Sequence, residues 1–156
     1  ARRDWAFAAF DFRGHGESDG TMPELRGSHL LADLDTITQF VRARGHETIY
    51  LVGSSMGGWA AAWFAALYPQ RITACALIAP AFRFLEWQRL SAGQHEQWRQ
   101  TGRLRVTNQW IDLELGAGLA EEAAQYPFAQ LTERFQTSCL VLHGLLDDTV
   151  PYQTSL

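Results

Sequence analysis

The chain has little of what would mark several function classes. Among 156 residues it holds two cysteines, Cys75 and Cys139. That is too few for a disulfide framework, and their spacing fits no metal-binding pattern. Both fall in apolar runs that predict strands, so the expectation is buried thiols in a reducing, cytoplasmic compartment. No apolar run approaches the ~20 residues of a membrane-spanning helix. No secretory leader is visible. The net charge is −4 and the basic residues are scattered, which leaves no electrostatic footprint for nucleic acid. There is no phosphate-binding glycine loop, no internal repeat and no low-complexity tract. Neither a cofactor nor a metal is implied.

What is present is globular: 47% hydrophobic, 19% charged, and long enough for one domain. Residues 5–12, WAFAAFDF, read as a buried parallel strand. A loop with two glycines, Arg13 to Ser18, breaks it. Ser28 can cap a helix over 29–44, with Leu30, Leu31, Leu34, Ile37 and Val41 at helical spacing and Gly45 as the stop. Strands are predicted at 48–53, 73–79 and 138–143, and a helix at 56–68 ended by Pro69. Strands alternating with helices, and apolar on both faces, predict a parallel sheet covered on both sides. The interval 81–136 breaks that rhythm. It is helical in composition, carries Trp87, Trp98 and Trp110, and reads as an inserted helical cap over the strand ends. Trp59 and Trp63, four apart, read as core contacts.

The most informative segment is IYLVGSSMGGWA at 49–60. An apolar strand enters Gly53-Ser54-Ser55-Met56-Gly57 and an alanine-rich helix leaves it. A G-x-S-x-G turn in that setting holds its serine in a strained conformation, with Oγ raised above the sheet. Ser55 is the candidate nucleophile. The Met56 amide, at the start of the helix, is a candidate oxyanion donor. Gly53 and Gly57 would lack a Cβ where strand and helix meet. The bland alternative is a glycine-rich turn with no chemistry.

Two further segments carry a resemblance. FDFRGHGESDG at 10–20 and LVLHGLLDDTVP at 140–151 are similar to the strand ends of α/β-hydrolases of the serine esterase and peptidase type. The likeness spans nearly the whole chain and is weakest over 81–136. LVGSSMGGW, ALIAPAF and HGLLDDTVPYQTS further resemble the mitochondrial palmitoyl-protein thioesterase and acyl-glucuronide esterase subfamily with its bacterial relatives. The resemblance implies an α/β-hydrolase fold and a small-molecule acyl ester or thioester substrate. It implies Ser55 as nucleophile, Asp147 as the acid that orients a catalytic histidine, and Met56 as oxyanion donor. Asp148 is the alternative acid, or else a loop residue capping local amides. A peptidase or amidase of the same fold, and a non-catalytic binding protein, are the competing readings.

In that family the histidine follows the acid in chain order. His15, His29, His46, His95 and His143 all precede Asp147, so no base is assigned. His15 and His143 read as loop-orienting residues. The family's second oxyanion donor would lie upstream of Ala1. The domain is therefore expected to be incomplete at both ends, with 138–143 as an open edge. Losing a triad base costs on the order of 10⁶ in kcat, so residues 1–156 alone are expected to be nearly inactive and poorly folded.

Overall fold

The computed structural model describes residues 5–84, 90–107, 109 and 112–156. After a first 3-10 turn (Met22–Glu24), the α-helices and strands are α1 (Gly27–Arg42), β1 (Tyr50–Ser54), α2 (Met56–Leu67), β2 (Ala74–Ile78), α3 (Ala92–Thr101), β3 (Arg103–Thr107), β4 (Asp112–Gly116), α4 (Ala117–Glu121), α5 (Phe128–Arg134) and β5 (Ser138–Leu142). β1, β2 and β5 form a parallel sheet in that spatial order. Helix α2 connects β1 to β2, the crossover that parallel neighbours require. It is apolar all round, MGGWAAAWFAAL, and residues 58–66 are all buried. It packs on β1 and β2 and also meets α1 and α5.

Register divides the sheet into two faces. Leu51, Cys75 and Cys139 align across the strands, as do Gly53, Leu77 and Val141. This is the face under α2, and Cys75 and Leu77 are buried in it. The opposite face aligns Val52 with Ala76 and Leu140, and Ser54 with Ile78 and Leu142. It lies open: Val52 is 69% exposed and Leu142 51%. The parallel sheet flanked by helices is present as expected, and among the described residues the helices that touch it pack on the face of Cys75 and Leu77. All of β5 is exposed, as the open-edge reading anticipated. Cys139 lies on that strand and is exposed, so only Cys75 is a buried thiol. Burial pushes the Cys75 thiol up to about 12.

Residues 5–12 form no strand. Trp5 is 62% exposed, with its ring 5.2 Å from that of Tyr50 on the edge strand. An extended apolar run becomes a strand only when another strand accepts its amides, and residues 5–12 pair with none of the described strands.

Helix α1 begins two residues before the predicted start, with Arg26 at its N-cap and no side-chain cap from Ser28. Ser28 is instead bound by a distant carboxylate: its amide donates to Glu122 Oε2 (2.8 Å) and its hydroxyl to Glu122 Oε1 (2.6 Å). Glu122 does the work of a capping residue from 94 positions away. Asp33, in the second turn, holds Arg13 through three hydrogen bonds, to the backbone amide, Nε and Nη2.

The 81–136 interval is not wholly helical. β3 and β4 form an antiparallel hairpin. Leu104 and Leu115 point into the interior and Arg103, Arg105, Asp112 and Glu114 point out. Arg105 and Asp112 pair bidentately at 2.8 and 2.7 Å. The interval joins the rest of the chain through aromatic packing. Tyr126 meets the buried rings of Trp59 and Trp63 edge-on, at 5.4 and 5.3 Å. Trp98 is buried and reads as packing. Trp87 and Trp110 lie outside the described residues.

Candidate active site

Strand β1 ends at Ser54, and Ser55 turns the chain into α2 with φ 49 and ψ −117. A non-glycine residue with positive φ carries strain of about 1–3 kcal/mol and is held there by its surroundings. Three backbone bonds do the holding. The Ser55 amide donates to Ile78 O (3.0 Å), and its carbonyl accepts from Trp59 N (3.1 Å) and Ala81 N (3.0 Å). The side chain is exposed at the carboxyl end of the sheet. Met56, next in line, is the first helical residue, so its amide has no intrahelical acceptor.

The glycine reading is half right. A Cβ on Gly53 would sit 2.3 Å from Gly57 O, so glycine is required there. On Gly57 a Cβ would meet only the Phe12 ring, at 3.9 Å. The second close approach belongs to Gly58, where a Cβ would lie 2.8 Å from Pro80 Cβ. Pro80 itself follows Ala79, among the described residues the other non-glycine residue at positive φ (43).

Asp147 sits in the loop after β5. The register that aligns Ser54 with Ile78 and Leu142 puts Ser55 and the 143–150 loop at the same end of the sheet. They are two strand spacings apart, about 10 Å. Ligands of open parallel sheets bind outside that end. Asp147 Oδ1 accepts from the amides of Val150 (2.8 Å) and Thr149 (3.0 Å). Oδ2 is left facing the His143 ring, 3.6 Å from Nε2. The Val150 amide first, then the Thr149 amide and the His143 ring, hold this carboxyl below its ordinary value against a partial burial penalty. Capping of local amides therefore falls to Asp147. Asp148 points outward, accepting from Thr149 Oγ1 (3.3 Å) and Gln109 Nε2 (3.2 Å).

His15 Nδ1 donates to Arg13 O (3.2 Å), and His46 and His95 are exposed. His29 is in the first turn of α1, a helix-end position, and its buried Nδ1 has no hydrogen-bond partner. It lines a cleft of about 800 Å³ between α1 and the 10–26 loop, walled also by Asp11, Arg13 and Asp33. Neither Ser55 nor Asp147 lines that cleft, so it is separate from the serine site. Among the described residues no three His, Cys, Asp or Glu side chains converge as a metal site. No described helix is long and apolar enough to cross a membrane.

Sequence reasoning missed three contacts that shape this region: Ser28–Glu122, Gln109–Asp148 and His143–Ser155. The first two join positions 94 and 39 apart and leave no local pattern. The third lies within the acid motif itself, where a histidine preceding a carboxylate loop is a readable cue.

Comparison with known proteins bears on the family and the fold. The family model described as alpha/beta hydrolase fold matches residues 1–155. The chain is 26% identical over 156 residues to the mitochondrial palmitoyl-protein thioesterase ABHD10 of Bos taurus, covering 97% of this chain and 50% of that protein. It is 34% identical over 80 residues to putative esterase/lipase 2 of Mycoplasma pneumoniae, covering 51% of this chain and 29% of that one. The chain thus spans half or less of the length of these relatives. Among solved structures, a putative hydrolase from Agrobacterium vitis S4 superimposes with TM-score 0.74 at 24% identity, over 93% of this chain and 59% of the other. Fold and family model coincide, and the chain belongs to the alpha/beta hydrolase fold family.

Proposed function

We propose that the protein is a serine hydrolase of carboxylic esters or thioesters. Ser55 Oγ attacks the acyl carbon, and the Met56 amide donates to the oxyanion. The alcohol or thiol leaves, and water then releases the acid from the acyl-enzyme. Asp147 orients the base, its Oδ1 fixed by two amides so that the carboxylate keeps one direction. A histidine later in the chain order than Asp147 completes the arrangement. No metal or cofactor takes part in this scheme. The two free cysteines fit residence in a reducing compartment.

The observation that carries the reading is the Ser55 backbone, held at positive φ on the first residue before α2. A turn without chemistry has no use for a strained serine where glycine would sit without cost. The names borne by the bovine and Mycoplasma relatives, a thioesterase and an esterase/lipase, support the substrate class.

A fluorophosphonate probe applied to the full-length gene product tests it. Labelling at Ser55 that Ser55→Ala abolishes is the expected result. Absence of labelling in a folded full-length preparation overturns the reading in favour of a binding protein. Comparison of thioester, ester and aminoacyl-amide substrates then separates acyl hydrolase from peptidase.

A further inference from the structure

We infer that His143 and Ser155 are positioning residues for Asp147, acting through Val150. The inference rests on Asp147 being the acid of the proposed site.

The His143 side chain is only 6% exposed. Its Nε2 lies 2.7 Å from the carbonyl of Val150, a group that can only accept. Nε2 therefore carries the proton and donates. In the neutral ring Nδ1 is then an acceptor, and Ser155 Oγ, 2.8 Å away, donates its hydroxyl proton to it. Ser155 belongs to the last turn of the chain, Tyr152–Ser155. The ring thus ties the end of β5 to two later points of the same loop.

Val150 is where the ties meet. Its carbonyl is held by His143 and its amide by Asp147 Oδ1 at 2.8 Å. Turning either peptide group breaks a bond on one side or the other. Asp147 is locked with Oδ1 toward the backbone, and Oδ2 is placed on the ring side, 3.6 Å from Nε2. A core histidine that merely satisfies its own polarity explains two ring hydrogen bonds. It does not explain why both partners belong to the segment that carries and follows the acid. The other polar side chains on this loop, Asp148 and Thr149, bond to each other and, through Asp148, to the remote Gln109 on its outer side.

The experiment reads the Asp147 carboxyl directly, by following its carboxyl carbon by NMR through an acid titration of the full-length protein. His143→Ala is expected to raise the Asp147 midpoint by roughly half a unit or more, because the fixed amide and the facing ring are lost together. His143→Gln keeps an amide donor toward Val150 O and is expected to fall between wild type and alanine. Ser155→Ala is expected to move the midpoint in the same direction by less. In turnover, the same order is expected in kcat with KM little changed. An unmoved midpoint in His143→Gln and Ser155→Ala overturns the inference, even if His143→Ala fails to fold. Asp147→Asn tests the role of the acid independently. If it leaves Ser55 acylation at the wild-type rate, Asp147 is not the acid, whatever His143 does to its titration.

Discussion

At the scale of single residues, the turn around Ser55 makes opposite demands on neighbouring glycines. Gly53→Ala drives a methyl to 2.3 Å from a backbone oxygen that cannot move without unwinding the start of α2. We expect a loss of about 2 kcal/mol or more in denaturant unfolding. Gly57→Ala meets nothing closer than 3.9 Å and gains helix propensity, so it is expected to stabilise by up to about 1 kcal/mol. Both lie in the same pentapeptide pattern, and the pattern does not distinguish them. Only the path of the helix does, because it brings residue 58, not 57, against Pro80. The positions of Ser55, Met56 and Asp147 are legible in the sequence because each belongs to local order along the chain: a strand, a turn and a helix, or a strand and a carboxylate loop. Gln109 as a partner of Asp148 and Glu122 as the partner of Ser28 are not, because they come from remote segments.

Elements were legible to the extent that they are locally determined. The predicted ends of β1, β2, β5, α1 and α2 lie within two residues of those observed. The hairpin was missed although RLRV and DLEL alternate strictly, a period of two hidden inside a segment of helical composition. Its outer face is held by Arg105–Asp112 and Arg103–Glu114. The Arg105 hydrogen bond, aided by Thr107, holds the Asp112 carboxyl down at about 2. A depressed carboxyl contributes its support above the ordinary value of 3.8 and loses it as pH falls toward 2. Amide shifts of Arg105 and Thr107 are expected to change across that window and not between pH 5 and 7. The carboxylate at the head of α1 makes a second test. Glu122→Ala strips two bonds from Ser28 and is expected to cost about 1 kcal/mol in unfolding free energy. Glu121→Ala, which removes an exposed 3.5 Å pair with Arg26, is expected to stay within about 0.5 kcal/mol.

For the whole molecule, the sheet decides behaviour in solution. One face is closed by α2, and the other shows Val52, Ile78, Leu140 and Leu142 to solvent beside an unpaired β5 edge. Exposed apolar edge strands pair with one another unless charge opposes it. Residues 1–156 are expected to associate as concentration rises, and Leu142→Lys is expected to raise the concentration at which light scattering begins. The predicted strand over 5–12 belongs to the same account. An apolar run tells that a segment suits a sheet interior, but strand formation needs a neighbour to pair with, and that is a property of the assembled sheet.

The packing of Tyr126 between Trp59 and Trp63 has an optical consequence. Both indoles are fully sheltered, and the phenol ring is what shelters them on the side of the 123–128 stretch. Lifting that stretch would wet two fluorophores at once and shift their emission to longer wavelength. The protein thus carries a built-in gauge, readable without any label, of whether the inserted segment is seated.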